Sequence, residues 1–149
     1  MADLQPVLNQ LNLVVRDMAA TLAFYRRLGL EIPETAVWRT ASGAHHAEVA
    51  MPNGVHLEFD SSALAKSYNA GWQEPAGGGT RSVVGFSLPS RAAVDERYAA
   101  LTAAGYIGRQ PPYDTFWGAR YAVIEDPDGN HVGLMSPLDP ARRGAPPMI

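Results

Sequence analysis

The sequence predicts an α+β fold built from two tandem βαβββ modules, and three observations predict it. The first is a repeated turn and strand: Pro52-Asn53-Gly54-Val55-His56-Leu57-Glu58-Phe59 returns as Pro127-Asp128-Gly129-Asn130-His131-Val132-Gly133-Leu134, with His56 and His131 75 positions apart. The second is a repeated strand-to-helix handover upstream of each copy. The third is size: 149 residues, 46% of them hydrophobic, can bury a sizeable core but are short for two independent domains.

The elements follow in order. Leu11 to Val15 reads as a strand that hands over at Arg16-Asp17 to a helix. Asp17 can cap the free amides there, Met18, Leu22, Tyr25 and Leu28 recur at intervals of three and four, and Gly29 supplies a stop. The Asn53-Gly54 turn then joins two strands, because Asn-Gly adopts the left-handed turn that twisted strands favour. The second module repeats this plan. Val83 to Leu88 is its first strand, Ser90 its cap, Val94, Tyr98 and Leu101 its apolar stripe, Gly105 its helix stop and Asp128-Gly129 its turn. Residues 1–66 and 82–136 are the expected modules. Between them, residues 67–81 form a glycine-rich connector holding Gly71-Trp72 and Gly77-Gly78-Gly79, which suits a mobile flap. That triple glycine lacks the Lys-Ser/Thr of a phosphate-binding loop. Residues 137–149 form a tail whose four prolines keep it from continuing a helix or central strand, so it lies on the surface or on a partner subunit.

Composition excludes several function classes. With no cysteine there is no disulfide, thiolate metal site or cysteine nucleophile. A net charge of −3 without a basic cluster argues against nucleic acid. No signal peptide opens the chain and no apolar run spans a bilayer, so a soluble cytoplasmic protein is expected.

Leu11-Asn12-Leu13-Val14-Val15-Arg16-Asp17, Phe24-Tyr25-Arg26-Arg27-Leu28-Gly29-Leu30 and the stretch from Trp117 to Asn130 resemble the vicinal oxygen chelate superfamily, which holds glyoxalase I, extradiol dioxygenases, fosfomycin-resistance enzymes and bleomycin-resistance binding proteins. The resemblance runs from about Leu8 to Ser136. It implies a curved, cup-shaped mixed sheet with helices outside, and a homodimer, since similar scaffolds often build their cavities across a subunit boundary. It also implies a metal centre in the family's enzymes, with one ligand on the first and one on the last strand of each half. Those positions fall here on Gln10 and Glu58, then on Val83 and Gly133. Valine and glycine have no side-chain donor, whereas a divalent ion needs several oxygen or nitrogen donors at about 2.0–2.5 Å. Metal-independent binding is therefore expected, with no cofactor. The alternative is a divalent metal held through Gln10 and Glu58.

Alternation along the strands places His56 beside Glu58 and His131 beside Gly133 and Met135, as polar members of a pocket wall. Of His45 and His46, parity selects His46 to share a face with Glu48. Trp38, Trp72, Tyr113, Phe116 and Trp117 sit outside the helical stripes, on expected loops or strand ends, where aromatic faces can hold a flat molecule. Ser61-Ser62 lacks a nucleophile elbow, Asp126 and Asp128 belong to a turn, and Arg120 suits a surface ion pair. The expected function is binding of a small, partly aromatic molecule, an antibiotic or metabolite, by Gln10, Asn12, Trp38, His46, His56, Glu58, Trp72, Tyr113, Trp117, His131 and Met135. The rival is a lyase, isomerase or dioxygenase that uses Glu58 as general base or as a ligand of a rebuilt metal site.

Overall fold

The computed structural model describes residues 7–77, 80 and 82–148, and Gly78, Gly79 and Arg81 of the expected flap lie outside them. The chain divides into two compact units at Ala76 and Gly77. Each contains a four-stranded mixed sheet, as the repeat predicts.

In the first unit, β1 (Gln10–Val15) leads into α1 (Met18–Leu28), then β2 (Val37–Arg39), β3 (His45–Ala50) and β4 (His56–Ser61). The strand order is β1-β4-β3-β2, with β1 parallel to β4 and the other pairs antiparallel. Helix α1 begins where Asp17 accepts from the Ala20 amide at 3.0 Å, a cap that contributes about 1 kcal/mol. It ends where Gly29 takes φ 117°, a left-handed conformation that a residue with a side chain adopts only at a cost. Its buried stripe of Leu22, Phe24, Tyr25 and Leu28 packs on one sheet face. The Tyr25 and Phe59 rings lie 4.9 Å apart, and both residues are fully buried. Because side chains alternate, Leu57 and Phe59 take the helix side and His56, Glu58 and Asp60 take the other.

One α-helix was not expected. After β4 the chain forms α2 (Ser62–Tyr68), capped by Ser61, which runs past the expected module end at residue 66. It returns Tyr68 to the strand it has just left, where the Tyr68 hydroxyl donates to Asp60 at 2.7 Å. Beyond it, Asn69 holds the connector's first residues, accepting from the Gly71 amide at 3.1 Å and the Trp72 amide at 3.0 Å.

The second unit repeats the plan with β5 (Val83–Ser87), α3 (Arg91–Ala103), β6 (Gly108–Asp114), β7 (Arg120–Glu125) and β8 (His131–Met135), in the order β5-β8-β7-β6. Ser90 caps α3 at the Ala93 amide. The helix closes one residue before the expected glycine, at Ala104, with Gly105 then turning at φ 98°. Val94 and Leu101 of α3, Ala122 and Ile124 of β7 and Val132 and Leu134 of β8 are all buried. Strand β6 contains Pro111 and Pro112, which an edge strand tolerates because it has a free side, and its pairing with β7 shifts register twice. Tyr113 lies near the end of β6, as expected for a residue on a loop or strand end, and Trp38 is the middle residue of the three-residue β2. The tail makes one 3₁₀ turn at Pro140–Arg142 and is otherwise largely exposed. Among the described residues no helix is long and apolar enough to cross a membrane.

Candidate functional site

The sheet face opposite α1 carries the first unit's chemistry, and strand register fixes which residues meet. Glu48 lies across from Glu58, which lies across from Asn12. One pair along, His46 opposes Asp60, and on the other side His56 opposes Gln10. Trp38 extends the His46 row from the edge, its ring 5.2 Å from the imidazole and tilted by 32°.

Asp60 is the hub of this face, and sequence reasoning missed it. At 1% exposure it is almost fully enclosed, so its charge needs partners. It has three: His46 Nδ1 donates to one oxygen at 2.6 Å, and Asn12 Nδ2 and the Tyr68 hydroxyl each donate to the other at 2.7 Å. A carboxylate only accepts, so a His46 proton sits on Nδ1, while Nε2 lies 4.0 Å from a Glu48 oxygen. Burial of the Tyr68 hydroxyl, its bond to Asp60, and the charges of Asp60 and then Glu58 push its pKa up to about 12, against the opposing effect of Asn12.

Parity correctly set His46 and Glu48 on one face, but each has a nearer partner. They stand 4.0 Å apart, while Glu48 makes a short hydrogen bond with His56 Nδ1. Glu48, His56 and Glu58 form a set whose donor atoms lie within 4.8 Å of one another and can hold a divalent cation. Glu58 itself receives one long bond, 3.3 Å from Asn12 Nδ2. The Asn12 amide oxygen is buried, and among the described residues no donor reaches it.

A cavity of about 340 Å³ opens over this network, lined by Gln10, Asn12, Trp38, His46, Glu58, Asp60, Leu64 and Tyr68. Five of these were expected from the sequence; Asp60, Leu64 and Tyr68 were not. Trp72, expected as part of the lid, is absent from the lining, and its indole nitrogen is buried without a partner among the described residues. His56 shares the sheet face but not the cavity wall.

On the second unit's corresponding face, the places of Asn12, His46, Glu48, Glu58 and Asp60 hold other residues, while His131 keeps the place of His56. Gly133 pairs with Gly85 and Val123 where Glu58 pairs with Asn12 and Glu48, and Met135 and Tyr121 stand in the Asp60 and His46 places. His131 pairs with Val83 and Glu125. The space above Gly133 is filled: a Cβ there would meet the Tyr121 hydroxyl at 2.8 Å and Val83 Cγ1 at 3.2 Å. Burial, then the neighbouring Tyr113, pushes the Tyr121 pKa up. Trp117, Phe116, Tyr121 and Tyr113 form a chain of edge-to-face rings with centroids 5.2–6.4 Å apart. Arg120 is engaged in ion pairs with Asp95 at 2.8 Å and Asp114 at 3.2 Å.

The four-position metal set implied by the fold therefore does not fit this chain. Two positions lack donors, and one of these lies beneath a tyrosine. What the arrangement offers is an aromatic-walled, carboxylate-bearing hollow in the first unit.

A family model described as the glyoxalase/bleomycin resistance protein/dioxygenase superfamily matches residues 7–134. Among solved structures, a glyoxalase/bleomycin resistance protein/dioxygenase from Nocardioides is 26% identical, with a TM-score of 0.68 over 99% of this chain and 92% of that one. A family enzyme from Burkholderia phytofirmans PsJN is 23% identical, with a TM-score of 0.69 over 87% and 97% of the two chains. A lactoylglutathione lyase from Agrobacterium tumefaciens is 20% identical, with a TM-score of 0.61 over 90% and 96%, a likeness of fold. No curated protein matches the sequence.

Proposed function

This chain belongs to the glyoxalase/bleomycin resistance protein/dioxygenase superfamily, and on that premise we propose that it is a metal-independent binding protein that sequesters a small, partly aromatic antibiotic or metabolite. The observation that carries this reading is the contrast between the two modules: a hollow walled by Trp38 and Tyr68 in the first, and a ligand position closed by Tyr121 over Gly133 in the second. A volume of about 340 Å³ is at the small end of ligand pockets, enough for a compact organic molecule. Trp38 and Tyr68, 48% and 57% exposed, offer ring faces that a ligand would cover. No bond is made or broken in this function. Protection follows from mass action, which lowers the free concentration of the bound compound.

The test is tryptophan-fluorescence titration of chelator-dialysed protein with a panel of aromatic antibiotics and metabolites. Binding that persists without metal and falls in Trp38→Ala is the expected result. Binding, or turnover, that appears only when a divalent ion is restored overturns it.

The second reading, a superfamily enzyme, draws on the Glu48, His56 and Glu58 set. There Glu58 serves as general base or as one ligand of a metal site rebuilt within a single module. Stoichiometric metal in the purified protein, with turnover abolished by Glu58→Gln, is the result this reading requires.

A further inference from the structure

The charges of the first unit's cavity are unbalanced. Its wall holds two carboxylates, Glu58 and Asp60, and neither a lysine nor an arginine. The two are not equivalent. Asp60 is enclosed and already accepts from His46, Asn12 and Tyr68, so it has little left to offer a ligand. Glu58 is half-buried, takes part in no ion pair among the described residues, and receives only the long bond from Asn12. It also stands next to two further carboxylates, Glu48 across the strand and Asp60 along it, each of which already has an imidazole partner, His56 and His46. A positive group entering the hollow therefore meets Glu58 as the carboxylate of the wall with the fewest partners of its own. Water can screen such a carboxylate, but water over the ring faces of Trp38 and Tyr68, which border the same hollow, leaves apolar surface exposed that an organic ligand would bury. Those faces carry the negative side of an aromatic quadrupole, so they too favour a cation over an anion.

We propose that the ligand of this cavity is an organic cation, a compact ammonium, amidinium or guanidinium compound, with its charge on Glu58 and its apolar body against Tyr68, Leu64 and Trp38. This assignment rests on the small-molecule-binding reading and names the class of molecule bound. A bare metal ion satisfies the carboxylate but leaves the aromatic walls wet. An anion meets two carboxylates and neither a lysine nor an arginine, with the one histidine of the wall, His46, already turned to Asp60.

The full-length protein is titrated calorimetrically with benzamidine, benzamide and benzoate, which share a ring and a planar head group and differ in charge. Benzamidine is expected to bind at least about tenfold more tightly than benzamide, with benzoate weaker than both. Raising the ionic strength about tenfold narrows the gap in the unaltered protein, because screening acts on the charge alone. In Glu58→Gln, checked by circular dichroism for an unchanged fold, benzamidine and benzamide bind alike. Benzamide binding as tightly as benzamidine overturns the cation but leaves a small-molecule binder. Silence from all three probes overturns the cation too, and joined to silence from the antibiotic and metabolite panel it removes the binding reading as well. Displacement of benzamidine by an equimolar amount of Mn²⁺ assigns the site to a metal ion and also overturns the proposal.

Discussion

Replacing Asp60 with alanine tests whether the first unit's polar face is a single network. The side chain is 1% exposed and accepts three hydrogen bonds of 2.6–2.7 Å. Bonds to a charged group contribute about 1.5–3 kcal/mol each. The Tyr68 hydroxyl belongs to a residue 57% exposed and can turn to water, so its loss is largely recovered. The His46 side chain is only 16% exposed and Asn12 is half-buried, so those two donors are left short of a partner. The expected cost is therefore about 3–5 kcal/mol, the range seen when one member of a buried pair is removed. Asp60→Asn keeps the volume and one acceptor and should lose about half of that. The assay is urea unfolding followed by far-ultraviolet circular dichroism, reading the midpoint at constant slope. A double-mutant cycle with His46→Ala should show coupling of at least about 1 kcal/mol, since either change strands the other group. An Asp60→Ala midpoint within about 0.5 kcal/mol of the parent would falsify the idea that this carboxylate organises the face.

Further expectations follow from single contacts. Ultraviolet titration of the phenols should show Tyr68 ionising near 12 rather than the usual value of about 10, and Tyr68→Phe should remove that late step. Because the raised value favours the neutral phenol in the fold, the associated stability is complete below about pH 10 and disappears as pH rises through 10 to 12. Asp60→Asn should bring the Tyr68 step down, and an unmoved step would separate the two residues. Gly133→Ala pushes a methyl group against the Tyr121 hydroxyl and should cost about 1–3 kcal/mol. The same change made in Tyr121→Phe should cost less, and an equal cost in the two thermal melts would refute the contact. Gly118→Ala combines φ 94° with a backbone oxygen, that of Asp139, 2.5 Å from the new carbon. Neither can yield cheaply, so a loss of at least about 3 kcal/mol is expected, and a melting temperature near the parent's would contradict it.

Much of the fold was legible because its signals are local. Asp17 and Ser90 cap helices through amides three residues on, and Gly29 and Gly129 adopt the positive φ that helix stops and turns need. Strand parity likewise put His56 with Glu58 and His46 with Glu48, since alternation depends only on sequence position, while Gln10 was placed beside Glu58 by the family resemblance. What parity cannot give is the choice of partner. His46 turns to Asp60 rather than Glu48 because Asp60 is its cross-strand neighbour, a fact of register between β3 and β4. Asp60 carried no motif, and it becomes the hub only when α2 brings Tyr68 back over it. A signal was present nonetheless: Asp60 continues the His56, Glu58 alternation by one more step, and an acidic residue two places beyond a polar pair belongs to the same face. Trp72 is the opposite lesson. Its place on a glycine-rich stretch suggested a lid, whereas its first residues are pinned by Asn69 and its ring lies outside the cavity wall.

The tyrosine lying over Gly133 also constrains what the second module can be made to do. A carboxylate introduced at that position by one substitution would collide with the phenol, and trimming the phenol alone would open a hole with nothing to fill it. Each single change is expected to cost stability, the first by overpacking and the second by a cavity. Placing an ion-binding side chain there therefore requires two coordinated replacements, one at Gly133 and one at Tyr121.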